Sequence, residues 1–478
     1  MKHYLLVDLG TGNTRVALTD SSGKILALRT FTNVYYTDNA YPDAHYFLPQ
    51  EWEELILKYC DEIHNELPDV KIDAVSSAAA RETIVLLDRS GKAFLGLPNI
   101  DNRGREYMHE IDGKDDIYRI SGKWATEDFC AAKLLAYKKL YPADFEKTGS
   151  ILSLDGWIGR IFTGLLTFEP SQACETSLYD IGENRWSKEL CGIFGIDYSI
   201  LPSLVSAGTV TGPVNSEFIK RLGMSDNAVF VEGGADTQAA LHQTGIQKGD
   251  VAIVSGTTSP VVTLVDHKYY DPCQRVWTDV NFGGDGYVVE MNPGVTGLNY
   301  QRIKSNLCPD ISYEELEKAY DEKAEFHCTA SFSSLLFYEQ RSLRKGGFFM
   351  QSPLTDKVDR IDMAWAVIAD IACSVYEQLY RLAELTGFEK KYILGCGGGF
   401  RSAALCQMIA DLSGFELRIR PGFEQATVNG LVELCNNALG YDNNYVSTEY
   451  ISYFPRKQQL IHKYHPVWNA NRMDANLI

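Results

Sequence analysis

Two short stretches constrain this chain more than anything else in it. Residues 5–19 read LLVDLGTGNTRVALT, and residues 251–265 read VAIVSGTTSPVVTLV. Each is an apolar strand, a Gly-Thr turn and a second apolar strand. Gly256 falls on Gly10, and Thr257 on Thr11. A plain hairpin needs fewer special residues. Glycine lets the backbone adopt positive φ and approach a ligand closely. The N–H groups of a tight turn, with threonine hydroxyls beside them, make a concave site for an anion. Either turn alone reads as an ordinary hairpin. Two of them, heading the two halves of a 478-residue chain, point to a duplicated unit. The expected organisation is two similar α/β domains, 1–245 and 246–478, facing one another across a cleft. The two turns would then hold the phosphates of one nucleotide from opposite sides.

Local patterns fill in each half. Residues 4–8, then TRVALTD and ILALRTF around an SSGK turn, predict an antiparallel meander. Residues 51–67 carry Trp52, Leu55, Ile56, Cys60, Ile63 and Leu67 on one helical face. VKIDAVSSAAA predicts a strand, and RETIVLLDRSGKAFLGLPNI a hairpin turning at Arg89-Ser90-Gly91-Lys92. In the second half, helices are predicted over 361–387, 402–414 and 424–440, with Gly387 ending the first.

Composition excludes several functions. The net charge is −18 and no basic run is present, which argues against a nucleic-acid binder. Eleven cysteines stand singly with no CxxC pair, and nine histidines show no HxxxH spacing. Reduced core thiols in a cytoplasmic protein, with no zinc site, are expected. The first apolar run is broken at Asp8, so it is not a signal peptide, and no apolar span is long enough for a membrane helix.

Two further motifs carry chemistry. In NAVFVEGGADTQAALHQTGI (227–246) an apolar strand passes through Gly233-Gly234 to Asp236, and a helix-like run starts at Thr237. A carboxylate at that exit is placed to take a proton from a bound hydroxyl. A helix N-cap is the plain alternative, but it does not account for the paired glycines. In YILGCGGGFRSAALCQMIADLSG (392–414) a strand ends in Gly397-Gly398-Gly399 before a helix opens near Ser402. Such a crossing admits a flat ring against bare backbone. Neither a GxxxxGK[ST] loop nor a GxGxxG fingerprint occurs.

In order, VDLGTGNTR, RETIVLLDRSGKAF…NIDNR, SLDGWIGRIFTG…EPSQACETSLYD, VEGGADTQAA, VSGTTS and GCGGGFRS…QMIADLSG…EQATVNG resemble the motifs of the FGGY carbohydrate kinases, from about residue 4 to about residue 440. That resemblance implies two actin-like (ribonuclease H-like) domains, each with a central mixed sheet and with the active site in the cleft between them. It implies ATP and Mg²⁺ as cofactors and a small sugar as substrate. Asp236 resembles the general base, and Asp8 the carboxylate that helps hold Mg²⁺. Thr11, Gly12, Asn13 and Arg15 resemble the first phosphate loop, and Gly256, Thr257 and Thr258 the second. Gly398, Gly399 and Ser402 resemble the adenosine-binding crossing. Arg81 and Glu82, with Asp101 and Arg103 of the D-x-R segment, stand where members of the family grip substrate hydroxyls. Phosphoryl transfer asks for positioning and charge neutralisation rather than covalent chemistry, which suits this set.

Departures narrow the substrate. The usual GERSP segment appears as EQRSL (339–343), followed at once by RKGGFF, so the connecting loop is shorter. Thr237 follows the base where Gln or Asn is common, and Asp128 stands where glycerol kinases carry tyrosine. The pairing of SAAARETIVLLDRSGKA with NIDNRGRE looks closest to autoinducer-2 kinases, which act on a linear five-carbon hydroxy-ketone. Xylulokinases come next, although they usually carry Met-His where Arg81-Glu82 sit. The small residues Ala78, Ala79 and Ala80 leave room for an open chain beside that pair. Two other classes compete. An actin-like ATPase would not need Arg81-Glu82, and a catalytically dead sugar sensor would have lost Asp236 or Asp8. A membrane or nucleic-acid partner is not expected, and a homodimer is left open.

Overall fold

The computed structural model describes residues 1–41, 43–333, 346–387, 391–443, 449–456 and 459–475. The first half opens with β1 (His3–Leu9), β2 (Asn13–Asp20) and β3 (Ile25–Thr32), an antiparallel meander as the sequence predicts. β1 is buried along nearly its whole length, which is why it reads as a continuous apolar run rather than an alternating one. Helix α1 (Pro49–Glu66) follows, with proline in its first turn and Trp52, Ile56, Cys60 and Ile63 turned inward. β4 (Ala74–Ala79) lies parallel to β1. The predicted hairpin is β5 (Ile84–Asp88) and β6 (Ala93–Leu97), joined in a small sheet by β7 (Thr148–Ser153). β8 (Val210–Pro213) and β9 (Val229–Ala235) complete the main sheet, and α2 (Asp236–Gln243) leaves directly from β9.

The second half contains β10 (Val251–Val254), β11 (Val261–Val265), β12 (Trp277–Val280), β13 (Tyr287–Met291), β14 (Tyr392–Cys396), β15 (Glu416–Ile419) and β16 (Ile451–Tyr453). The first sheet runs β3-β2-β1-β4-β9-β8, and the second runs β13-β11-β10-β14-β15-β16 with β12 added outside β13. Read in that order, both six-strand sets pair antiparallel, antiparallel, parallel, parallel, antiparallel. The repeat seen in the two turns therefore extends through six strands. The predicted helices are α3 (Arg360–Thr386), α4 (Ala403–Ser413) and α5 (Ala426–Ala438). Asp359 and Asp362 form a reciprocal capping box at the head of α3, and Gly387, at φ 71°, ends it. The EQRSL stretch at 339–343 lies outside the described residues.

Two large cores lie under the two sheets, one around Trp52, Trp157 and Phe230, the other around Trp365, Ile368 and Trp468. A third joins the halves. α5 comes late in the chain, yet Val428, Leu431 and Val432 pack on Tyr4, Leu6, Ala78 and Val231 of the first sheet. α5 also crosses α2 so closely that a Cβ at Gly430 would overlap the carbonyl oxygen of Ala239. A helical insertion in the first half reaches the second sheet, where Tyr118 OH donates to the Val276 carbonyl at 2.9 Å. Ten of the eleven cysteines are buried and Cys273 is exposed. Among the described residues, no helix is long and apolar enough to cross a membrane.

Behind β9 sit three fully buried carboxyls, Asp155, Glu169 and Glu232, which influence one another electrostatically. Glu232 accepts hydrogen bonds from Thr167 Oγ1 at 3.0 Å and Thr211 Oγ1 at 2.8 Å. Burial, with repulsion from Asp155, pushes its carboxyl up to about 8. The native protein keeps this proton, whereas the unfolded chain releases it near the ordinary glutamate value. Stability therefore falls as pH rises across that interval. Glu232→Gln should raise the melting temperature at about pH 8, and the gain should shrink towards about pH 5. Thermal unfolding at the two pH values checks this; an equal or lower melting temperature at the higher pH would refute it.

Candidate active site

The first turn is anchored from behind. Asn33 donates from Nδ2 to the Gly10 carbonyl at 2.7 Å and from its backbone N–H to the Gly12 carbonyl at 3.0 Å; Tyr35 OH donates to the Thr11 carbonyl at 2.6 Å. With those carbonyls engaged, the N–H edge of the turn is the one available to an anion. Gly12 and Asn13 are exposed. Thr11 Oγ1 accepts from Asn99 Nδ2 at 2.8 Å, which ties the turn to the segment before Asp101.

The second turn and the glycine crossing form one unit, because β10 and β14 run parallel with Val254 opposite Cys396. Ser255 N–H donates to the Cys396 carbonyl at 2.8 Å, and Gly399 N–H to the Ser255 carbonyl at 2.9 Å. A Cβ at Gly397 or Gly399 would overlap Ser255, so close approach requires glycine there. Gly12, Gly256 and Gly398 differ: a Cβ at each would meet nothing within 4 Å. Their bareness faces open space. Thr257 accepts from Thr296 N–H at 3.0 Å, and Thr258 from Gly256 N–H at 2.8 Å, both through their carbonyls. Ser402, expected beside adenosine, instead caps α4, its Oγ accepting from Leu405 N–H at 3.2 Å.

Asp8 lies opposite Arg15 in the β1–β2 pairing, and the two form an ion pair at 3.2 Å. Burial pushes the Asp8 carboxyl up to about 6; Arg15 opposes this and Asp236 adds to it. Asp236 is the first residue of α2. Its Oδ1 accepts from Thr237 N–H at 2.6 Å and Thr237 Oγ1 at 3.2 Å. Burial raises its pKa, with Arg81 as the main opposing charge. The paired glycines before it have a packing cause. A Cβ at Gly233 would overlap the Ser77 carbonyl oxygen, and Gly234, at φ 146°, would bring one to 2.7 Å from Glu169 Oε2. They let β9 bulge against β4 and deliver Asp236 at the strand's end.

The acceptor-side residues are arranged differently from the expectation. Arg81 was expected to grip hydroxyls, but its NH1 and NH2 bond to Glu290 Oε2 and Oε1 at 2.8 and 3.1 Å. Glu175 Oε1 lies 3.5 Å from the same NH1. Glu175 in turn pairs with the fully buried Lys123 at 2.6 Å, and Lys123 with Asp279 at 2.8 Å. Glu82 has φ 56°, a strained value for a residue with a side chain. Lys133 Nζ holds it there, donating to the Glu82 carbonyl at 2.7 Å and the Pro98 carbonyl at 2.9 Å. Burial, with Glu175 adding, pushes the Glu82 carboxyl up to about 8. Asp101 and Arg103 are buried rather than open to a ligand. Arg103 Nε bonds Asp101 Oδ2 at 2.7 Å, and Arg103 also reaches Asp38 at 3.2 Å and the His45 carbonyl at 3.1 Å, tying those two positions together. Sequence reading missed Lys123, Glu290 and Asp279, and passed over Glu175 inside a motif it used.

Comparison with known proteins decides which family the chain belongs to. Residues 3–242 match the N-terminal domain of the FGGY family of carbohydrate kinases, and residues 251–439 match its C-terminal domain. The chain belongs to the FGGY family. This kinase is 40% identical over 437 residues to the Bacillus subtilis (strain 168) sugar kinase candidate YoaC, covering 91% of this chain and 90% of YoaC. It is 24% identical over 450 residues to the autoinducer-2 kinase of Yersinia enterocolitica, covering 90% of this chain and 84% of that enzyme. Ligand-bound xylulose kinase from Lactobacillus acidophilus shares its fold with a TM-score of 0.84 at 19% identity, covering 99% of this chain and 98% of the other. Plasmodium falciparum glycerol kinase with ADP gives 0.85 at 19% identity, covering 99% and 98%. The kinase is thus a phosphotransferase with an alcohol group as acceptor, on the two-domain actin-like fold.

Among the described residues nothing lies within 4 Å of a Cβ at Gly256, so a side chain there would intrude chiefly on a ligand of the turn. Gly256→Val should leave the melting temperature within about 2 °C. It should weaken binding of a non-hydrolysable ATP analogue by about tenfold or more. Calorimetric titration beside a thermal melt checks both; unchanged affinity would exclude this turn from the nucleotide site.

Proposed function

We propose that this FGGY kinase transfers the γ-phosphoryl group of ATP to a hydroxyl of a small, uncharged, linear hydroxy-ketone of the autoinducer-2 type, with xylulose as the second candidate. One observation carries the substrate reading. Among the described residues, Arg81 and Lys123 are each engaged by two carboxylates and Lys133 by two carbonyls, while Asp236 and Glu82 offer carboxyl groups, which disfavours an acidic sugar. The likeness to autoinducer-2 kinases supports the first candidate.

In this reading, Asp236 takes the proton of the attacking hydroxyl through the carboxylate oxygen that Thr237 leaves free. Glu82 orients a neighbouring hydroxyl; with its carboxyl raised to about 8 it is largely protonated near neutral pH and both donates and accepts. Thr11, Gly12, Asn13 and Arg15 hold the phosphates from the first half; Gly256, Thr257 and Thr258 hold them from the second. Gly398 and Gly399 admit the adenosine, with Ser402 shaping the crossing as the cap of α4. Asp101 and Arg103 act from behind by fixing the loop beside the sugar. Asp8 suits the Mg²⁺ that accompanies ATP. It would supply one carboxylate oxygen, and no described group of three or more His, Cys, Asp or Glu could hold a metal by itself. Mg²⁺ is commonly held by one or two carboxylates together with substrate phosphates, and it neutralises their charge. The division of labour follows the 1–245 and 246–478 halves, closing over the substrates to exclude water. A cytoplasmic setting fits the buried, unpaired thiols.

Asp236→Asn should lower turnover by about 10²–10⁴-fold with little change in ATP-analogue affinity. Near-normal turnover would remove Asp236 from the role of base. The substrate is identified by incubating the kinase and ATP with dihydroxypentanedione, D-xylulose, glycerol, gluconate and an aldohexose, and weighing the phosphate esters formed. Glu82→Ala should raise the KM of the preferred acceptor strongly and leave that of ATP nearly constant. A closed aldohexose or gluconate as the best acceptor, or normal acceptor use by Glu82→Ala, would overturn this placement of the sugar.

A further inference from the structure

Asp236 and Arg81 leave the ends of neighbouring parallel strands. Ala235 of β9 lies opposite Ala79 of β4, and the Arg81 guanidinium is the main charge that opposes the effect of burial on the Asp236 carboxylate. A guanidinium and a carboxylate so placed ordinarily pair. Here they do not. Both outer nitrogens of Arg81 are taken by Glu290, with Glu175 beside NH1. Asp236 hydrogen-bonds only Thr237 among the described residues, through Oδ1, and Oδ2 is left without a partner. Glu290 is itself steadied by Asn292 Nδ2 at 3.1 Å and is 1% exposed.

We propose that Glu290 is a positioning residue that holds the Arg81 guanidinium away from Asp236, so that the Asp236 carboxylate keeps an oxygen free for the acceptor hydroxyl. This rests on Asp236 being the base. An Arg–Asp ion pair would occupy that oxygen and make the carboxylate a poorer proton acceptor. Glu290 lies on β13 of the second half, whereas Arg81 and Asp236 belong to the first. The base is thus kept available by a contact made across the cleft. The charges around Asp236 agree. Asp8 acts on it from β1, Arg81 from the segment after β4, and Glu175 from the end of the Pro170–Cys174 helix. Lys123 and Asp279 continue the chain beyond Glu175. On α5, packed along α2, Glu433 pairs with His242 near the other end of that helix. Burial would push the Glu290 carboxyl up; the Arg81 guanidinium overrides this and leaves it below the ordinary range.

The test follows the Asp236 carboxyl directly, so it needs no knowledge of the sugar. Infrared difference spectra against Asp236→Asn, taken through a pH titration, give the Asp236 midpoint. In Glu290→Gln a negative charge is lost and Arg81 is released onto the base, so the midpoint should fall by about one pH unit or more. In Arg81→Gln it should rise. Glu290→Asp, which keeps the charge, should restore much of the wild-type midpoint. With whichever panel acceptor turns over, Glu290→Gln should lower kcat by about tenfold or more while the KM of ATP stays nearly constant. A purely structural role would move neither midpoint in opposite senses. An unmoved Asp236 midpoint in Glu290→Gln, or a fall in Arg81→Gln, overturns the proposal even if Asp236→Asn is inactive. If Asp236→Asn turns over normally, the base assignment fails, and this inference falls with it.

Discussion

A buried chain of alternating charge, Glu290–Arg81–Glu175–Lys123–Asp279, is the constraint on which the acceptor side of the cleft depends. Its two cations come from the first half and its terminal carboxylates from β13 and β12 of the second. Those two carboxylates stand on one face of adjacent antiparallel strands, since Trp277 lies opposite Glu290 and Asp279 opposite Val288. Such an array adds little net stability compared with apolar packing, because desolvation offsets most of the attraction. Removing one member, however, strands an uncompensated charge and costs about 3–5 kcal/mol. The chain therefore dictates geometry more than it stabilises the fold. It fixes where the segment after β4 can lie, and that segment contains the left-handed Glu82.

The duplicated six-strand pattern puts the candidate site segments at matching places in the two sheets. The turn after the first strand of each set is a Gly-Thr turn, at 10–13 and 255–259. The segment after the next parallel strand is Ala80-Arg81-Glu82 in one half and Gly397-Gly398-Gly399 in the other. The same topological place thus offers charged side chains on one side of the cleft and bare backbone on the other. In open sheets, ligands gather outside the carboxyl ends of parallel strands, and each half has one such end. α5 crosses between them, covering the first sheet although its sequence lies late in the second half.

The sequence revealed much of this because its signals were local. The turns, the meander, the hairpin at 89–92 and the capped helices each depend on residues within a few positions of one another. The strand, glycines and helix start around Asp236 were legible for the same reason: they are contiguous. What was hidden depends on distance. Arg81 and Glu290 are 209 positions apart, and no spacing rule links them. Asp101 and Arg103 looked like substrate contacts because charged residues beside a sugar motif invite that reading; only the folded 38–46 loop reveals that they neutralise one another. The glycines before Asp236 were noticed but not explained, since the Ser77 carbonyl that crowds Gly233 comes from another strand.

The exposed Cys273 has a practical consequence. It lies on the loop leading into β12, where its backbone N–H is tied to Asp271 at 3.2 Å and where Tyr270 packs against Tyr118 of the inserted helices, ring centres 5.6 Å apart. The other ten thiols are shielded by the cores. A thiol-directed dye would therefore react at one place on the unaltered protein, at the seam between the insertion and the strand that bears Asp279. The molecule carries its own spectroscopic reporter, with no engineered label needed to watch that seam move.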